Sequence, residues 1–225
     1  GKIDKIEVPE NPWAKSEGMK LRFEAAEHRG AREMVRIEGV RLQHGDAPPL
    51  VDDFELTVER GDRLGIVGPN GCGKTTLMKV LVGDEPPQAG AVSVGKQVQL
   101  GWFDQQRSDL TEGNDLTEEI RTVRADLTTE QVRGVLGRLR FGDAEVVRPV
   151  SSLSGGERSR LALGKLAMEP YNMLALDEPT NHLDIPAREA LEEGLNAFLG
   201  TLIVVSHDRY FLDRAVTKIL WFGPE

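Results

Sequence analysis

The chain has 225 residues, 39% hydrophobic and 29% charged, a composition that suits one large folded domain and excludes an intrinsically disordered polymer. Lys and Arg number 28 against 37 Asp and Glu, and the resulting net charge of −9 argues against a general nucleic-acid binder, because the overall field repels phosphate backbones. A single cysteine, Cys72, excludes an internal disulfide framework, and no stretch approaches the roughly 18 apolar residues of a membrane-spanning helix. The expected location is the cytoplasm. Gly1 in place of Met, and a last segment that stops straight after the apolar Trp221-Phe222, predict a piece of something longer.

Residues 1 to 33 mix charge with Pro9, Asn11-Pro12 and Gly18, which reads as a linker, ending in one short strand where Met19, Leu21 and Phe23 alternate with Lys20 and Arg22. From Met34 the texture changes. Val35, Ile37 and Val40, then Phe54, Leu56 and Val58, alternate with polar residues as half-buried edge strands do. Arg63 to Val67 is a short apolar strand that enters a glycine-rich turn, Gly68 to Gly73, and Lys74 to Val82 then forms helix. Residues 91 to 103 give two more strands, with Trp102 and Phe103 as core residues. Residues 109 to 140 read as two or three charged helices, one starting at Thr128. A polar loop, Ser151 to Glu157, feeds a helix whose apolar face carries Leu161, Leu163 and Leu166. Met173 to Leu176 and Leu202 to Val205 are continuous apolar runs, the pattern of central parallel strands buried on both faces. Strands alternating with helices predict an α/β fold with a right-handed parallel sheet and ligands beyond its C-terminal strand ends.

Gly68-Pro69-Asn70-Gly71-Cys72-Gly73-Lys74-Thr75 satisfies G-x-x-x-x-G-K-[ST] and has the strand before it and the helix after it that this motif requires. Backbone N–H groups and a helix N-terminus cradle anionic phosphates, Lys74 reaches the β- and γ-phosphates, and the Thr75 hydroxyl ligates Mg²⁺. Thr76 is assigned to the α-phosphate, and Cys72 is a small residue that fits the turn. Asp177 ends an apolar strand, so its carboxylate projects toward the phosphate loop as a Mg²⁺ ligand, and Glu178 beside it can accept a proton from an attacking water. Alone, Asp-Glu-Pro fits a solvated turn better than a metal site, because acidic turn residues are common; the phosphate loop in the same chain reverses that preference.

Leu153-Ser154-Gly155-Gly156-Glu157, followed by LALDEPTNHLD over Leu174 to Asp184, resembles the signature and Walker B region of an ATP-binding cassette, and the match covers about residues 34 to 222. Thr180 to Asp184 (TNHLD), Ser206 to Asp213 (SHDRYFLD) and LSGGERSRLAL over Leu153 to Leu163 resemble the second cassette of the twin-cassette ABC-F proteins, which act on the ribosome. The resemblance implies a P-loop cassette with a parallel core sheet, an antiparallel β edge subdomain and an α-helical insert at about 106–168. It makes residues 1–33 the tail of an inter-cassette linker and residues 34–225 the ATPase domain. It implies ATP and Mg²⁺ as cofactors and ATP hydrolysis as the activity. Gln105 matches the Q-loop glutamine near metal and water, with Gln106 the neighbouring alternative. His207 matches the switch histidine at the γ-phosphate, and Asp184 the D-loop aspartate. His44 falls where such cassettes place an adenine-stacking aromatic, so an imidazole replaces the usual ring. Ser154, Gly155 and Gly156 face the γ-phosphate held by an opposite cassette, so one domain carries two half-sites.

The implied partners are a second cassette, from the same protein or from another copy of this chain, and the ribosome. Two other readings compete. One is the nucleotide-binding subunit of an ABC membrane transporter, although transporter cassettes more often read LSGGQ and lack HDRYFLD. The other is a binding module that reports ATP and for which hydrolysis is incidental.

Overall fold

The computed structural model describes residues 19–26, 32–43, 48–104 and 110–223. In chain order its strands are β1 (Glu33–Leu42), β2 (Val51–Glu59), β3 (Arg63–Val67), β4 (Ala89–Val94), β5 (Leu100–Asp104), β6 (Met173–Asp177), β7 (Thr201–Val205) and β8 (Lys218–Trp221). The helices are α1 (Lys74–Val82), α2 (Leu116–Arg121), α3 (Thr129–Arg138), α4 (Gly155–Leu166), α5 (Ile185–Ala197) and α6 (Arg209–Ala215).

The apolar runs of β6 and β7 are continuous because each strand feeds two cores. Leu174 and Leu176 of β6, with Leu202 and Val204 of β7, pack toward the helices α2 to α6. Their neighbours Met173, Ala175, Ile203 and Val205 face the opposite way and pack with α1 and the antiparallel strands. A strand buried on both faces has no position at which a polar side chain reaches water. These strands anchor a five-stranded parallel sheet in the order β5-β6-β7-β3-β8. Beside it stands a three-stranded antiparallel sheet, β2-β1-β4. The architecture is the α/β cassette expected from the sequence.

Helix starts follow the local chemistry. Thr128 caps α3 and Gln131 returns the bond to the Thr128 N–H, a reciprocal box that satisfies donors the helix itself leaves free. Asp115 and Glu118 do the same for α2, Ser154 and Glu157 for α4. Helix α1 starts and ends on glycines in left-handed geometry, Gly73 (φ 103°) and Gly83 (φ 80°). The charged region before α4 yields two α-helices, α2 and α3.

The reading of Met19 to Phe23 as a strand needs correction. Met19, Leu21 and Phe23 are buried in the helical core, yet strand pairing here is confined to one bridge, from Ala25 to Tyr171. The Lys20 N–H donates to the Arg138 carbonyl (3.2 Å), and the Ala26 N–H to the Tyr171 carbonyl (2.9 Å). The alternation places side chains between helices, so among the described residues the backbone has no neighbouring strand to form a ladder with. Gly194 of α5 permits the approach: a Cβ there would lie 2.8 Å from the Leu21 carbonyl oxygen.

Candidate functional site

The glycine-rich turn between β3 and α1 is braced by the end of the chain. A Cβ on Gly68 would lie 1.9 Å from the Phe222 carbonyl oxygen, so only glycine fits. The same oxygen accepts a bond from the Cys72 thiol (2.8 Å), and the Phe222 N–H donates to the Val67 carbonyl (2.7 Å). Gly71 (φ 76°) and Gly73 (φ 103°) adopt left-handed geometry that costs other residues about 1 kcal/mol or more. Cys72 therefore fits the turn, as its size suggested, and also ties it to Phe222, the residue after β8.

Lys74 opens α1 with its ammonium folded over the turn. It donates to the carbonyls of Gly68 (3.0 Å) and Pro69 (2.8 Å) and is only 7% exposed. A cation held in this way compensates anions that enter the turn. Next in sequence, the Thr75 hydroxyl donates to the Asp177 carboxylate, which joins the start of α1 to the end of β6. Asp177 is 3% exposed, and its Oδ1 has no hydrogen bond within the described residues. Burial, foremost, and the neighbouring Asp104 push its pKa up, against the pull of Thr75, Lys74 and Lys79.

Glu178 leaves the strand with φ 48°, a left-handed geometry rare for residues that carry a Cβ. Its N–H donates to the Val205 carbonyl (2.8 Å), which holds the ends of β6 and β7 together. The turn places its Oε1 3.4 Å from His207 Nε2, and the His207 side chain is 51% exposed. Burial raises the Glu178 pKa, while His207 works in the opposite sense. Behind His207, the Ser206 hydroxyl accepts from the Asp208 N–H (3.1 Å), and Asp208 caps α6 and pairs with Arg188 of α5 (2.9 Å).

A second cluster sits at the start of α4 and α5. Ser154 caps α4, and its N–H and hydroxyl both donate to the Glu157 carboxylate at 2.8 Å. Gly156 lies against the loop before α5, where a Cβ would be 2.5 Å from the His182 carbonyl oxygen. Asp184 caps α5 and pairs with Arg140 (3.3 Å).

The structure thus gathers Lys74, Thr75, Asp177, Glu178 and His207 around the turn, and Ser154, Gly155, Gly156 and Asp184 into a separate group on the same chain. Gln105, Gln106 and His44 lie outside the described residues. Three features escaped the sequence reading. Asp104 pairs in register with Asp177 at the end of β5 and is buried beside it; the same apolar-run-then-Asp pattern was its available signal. The brace from Phe222 and the Arg188–Asp208 pair join residues far apart in sequence and left no local signal.

The family model described as ABC transporter matches residues 51–181. The chain belongs to the ABC transporter family. As a cassette of that family it is an ATP-hydrolysing domain, and the relatives point to the ABC-F type. ABC transporter F family member 5 of Arabidopsis thaliana is 38% identical over 221 residues, covering 97% of this chain and 32% of the relative. The putative ATP-binding protein YdiF of Bacillus subtilis is 37% identical over 218 residues, covering 97% and 34%. The energy-dependent translational throttle protein EttA of Escherichia coli is 39% identical over 196 residues, covering 85% and 35%. The chain spans about a third of the length of these curated relatives. The cassette also shares the fold of MJ0796 in a dimeric post-hydrolysis state bound to ADP and Pi, with TM-score 0.70, 21% identity, and coverage of 84% of this chain and 94% of that one. Among the described residues no helix is long and apolar enough to cross a membrane.

Proposed function

We propose that the cassette binds ATP on the turn Gly68 to Gly73, hydrolyses it with Glu178 as the base, and uses the nucleotide state to control closure on a second cassette in a cytoplasmic ABC-F protein that acts on the ribosome. The observation that carries the reading is the contact set joining Lys74, Thr75, Asp177, Glu178 and His207 around one phosphate-type turn. Similarity to a translational throttle protein supports the ribosomal part.

Lys74 and the α1 N-terminus receive the phosphates, because both concentrate positive potential where those charges arrive. Mg²⁺ fits Thr75 and Asp177, a hydroxyl and a carboxylate whose Oδ1 is buried without a partner among the described residues, and oxygen donors suit a hard cation. Bound there, the ion supplies charge neutralisation on the phosphate oxygens. Water attacks the γ-phosphorus as the bond to the ADP oxygen breaks, and Glu178 takes the proton that the water loses. His207, whose Nε2 lies 3.4 Å from Glu178 Oε1, is assigned to the γ-phosphate. Gln105 is assigned to the metal and water, and His44 to adenine stacking. Ser154, Gly155 and Gly156 complete the site of an opposite cassette, so ATP binds the two together and hydrolysis releases them.

Co-sedimentation of Glu178→Gln with ribosomes, with and without ATP, tests the whole reading. Retention on ribosomes only with ATP is expected. Retention on membrane vesicles instead would favour a transporter subunit, and no ATP-dependent retention on either would leave a module that reports ATP.

A further inference from the structure

Arg148, just ahead of α4, commits its guanidinium fully. Its Nε donates to the Ser152 hydroxyl (3.1 Å), Nη1 to Glu145 and Glu157 (both 2.8 Å), and Nη2 to the Ser152 carbonyl and Glu157 (both 3.0 Å). That accounts for all five N–H donors an arginine owns, and the pair on Glu157 is bidentate. The backbone on either side is anchored to the insert: the Leu116 N–H donates to the Arg148 carbonyl (3.2 Å) and the Val150 N–H to the Asn114 carbonyl (2.9 Å).

Glu157 lies in the first turn of α4, which already satisfies its dipole with that carboxylate. A phosphate approaching Ser154 to Gly156 meets this charge at the same helix end. We infer that Arg148 is a positioning residue for hydrolysis, offsetting the Glu157 charge so that the start of α4 accepts the γ-phosphate of an opposite cassette. The inference rests on the proposed completion of one site by the loop of another cassette. With Arg148 foremost and the Ser154 bonds holding the Glu157 carboxyl down at about 2, Glu157 carries its charge at any working pH in the parent, so that charge has to be countered at the helix end itself. Lysine cannot fully substitute, since one ammonium lacks the planar fork that spans both carboxylate oxygens and reaches Ser152.

The test is steady-state hydrolysis over a range of chain concentrations, with calorimetric ATP affinity and thermal stability of each variant. In Arg148→Ala, kcat should fall about tenfold, less than the roughly 10² to 10³ lost with a donor that touches the developing charge, while the ATP Kd stays that of the parent. Arg148→Lys should fall between the two. Adding Glu157→Gln to Arg148→Ala removes the charge but keeps the capping acceptor, so the double variant should return to within about twofold of the parent, a coupling expected of residues that act on one charge. A double variant as slow as Arg148→Ala, or an Arg148→Ala with parental kcat, overturns the inference. Ser154→Arg separates this from the underlying reading: if it hydrolyses ATP as the parent does, the completion of one site by another cassette's loop is wrong as well.

Discussion

Gly156 of α4 and His182 of the loop before α5 meet backbone to backbone, so closely that a Cβ on the glycine would lie 2.5 Å from the His182 carbonyl oxygen. The loop expected to face another cassette's phosphate is thereby seated on the segment that leaves Glu178 and leads to Asp184. Neither element can shift alone, because the contact involves backbone and no side chain can rotate away.

Gly156→Ala forces those two backbones apart. It should destabilise the domain by about 1 to 3 kcal/mol, as overpacking of a closed contact does, and abolish ATP-driven self-association. Denaturant unfolding measures the first and sedimentation the second. ATP affinity of the isolated chain should survive, since Lys74 and the turn are untouched.

Removing the ammonium in Lys74→Ala takes away the cation that folds over the turn at Gly68 and Pro69. Charge-assisted bonds of this kind contribute about 1.5 to 3 kcal/mol each, so ATP affinity should drop at least tenfold. A calorimetric titration with unchanged Kd would remove Lys74 from the phosphate site.

Glu178→Gln preserves size and hydrogen bonding but cannot take a proton, and hydrolysis should fall about 10² to 10⁴-fold with ATP binding intact. The unhydrolysed nucleotide should then hold two copies of the chain together at high concentration, and Ser154→Arg in the same background should disperse them by putting bulk and charge at the contact. Sedimentation with ATP and Mg²⁺ reports both. A strict monomer at every concentration would mean that this cassette closes only on a non-identical partner.

The acid stability of the domain should carry a mark from Glu157. Its pKa is lowered in the fold from 4.5 to about 2 by Arg148 first, then by Ser154. A depressed carboxyl contributes stability above its unfolded value, and that contribution is lost as the pH falls from about 4.5 toward 2. The parent should exceed Glu157→Gln in stability at pH 6, with the gap closing across that acid window. Urea unfolding at stepped pH measures it; a gap independent of pH would show that the Arg148 pair contributes nothing to folding.

Much of the site was legible locally. The glycine-rich turn is a short-range device in which glycine positions, a following helix and Lys74 sit within a few residues of one another, so the strand, turn and helix expected around it are found. The apolar runs ending in Asp177 and Ser206-His207 were equally plain, because a strand buried on both faces needs an unbroken apolar stretch and can change character only where it emerges. Asp104 carries the same signature, an apolar strand ending in a carboxylate, and lies in register with Asp177. The segment from Met19 to Phe23 had the right alternation but the wrong inference: period 2 says that alternate side chains are buried, not that the backbone has a strand beside it.

The sequence by itself determined the fold class, the glycine-rich turn between strand and helix, the candidate metal and base residues and the helix start at Thr128, all of which depend on spacing within a turn or a strand. Only the tertiary structure decided that Glu178 reaches His207, that Phe222 braces the turn through Gly68 and Cys72, that Gly156 rests on His182, and that Arg148 clamps Glu157 while tied to the start of α2. The first three of these pair residues from separate elements. The fourth depends on the path of an irregular loop, where one side chain's full set of donors finds acceptors from three residues at once. Contacts of that kind leave no period in the sequence, because they are set by how packed elements meet rather than by any element's own geometry.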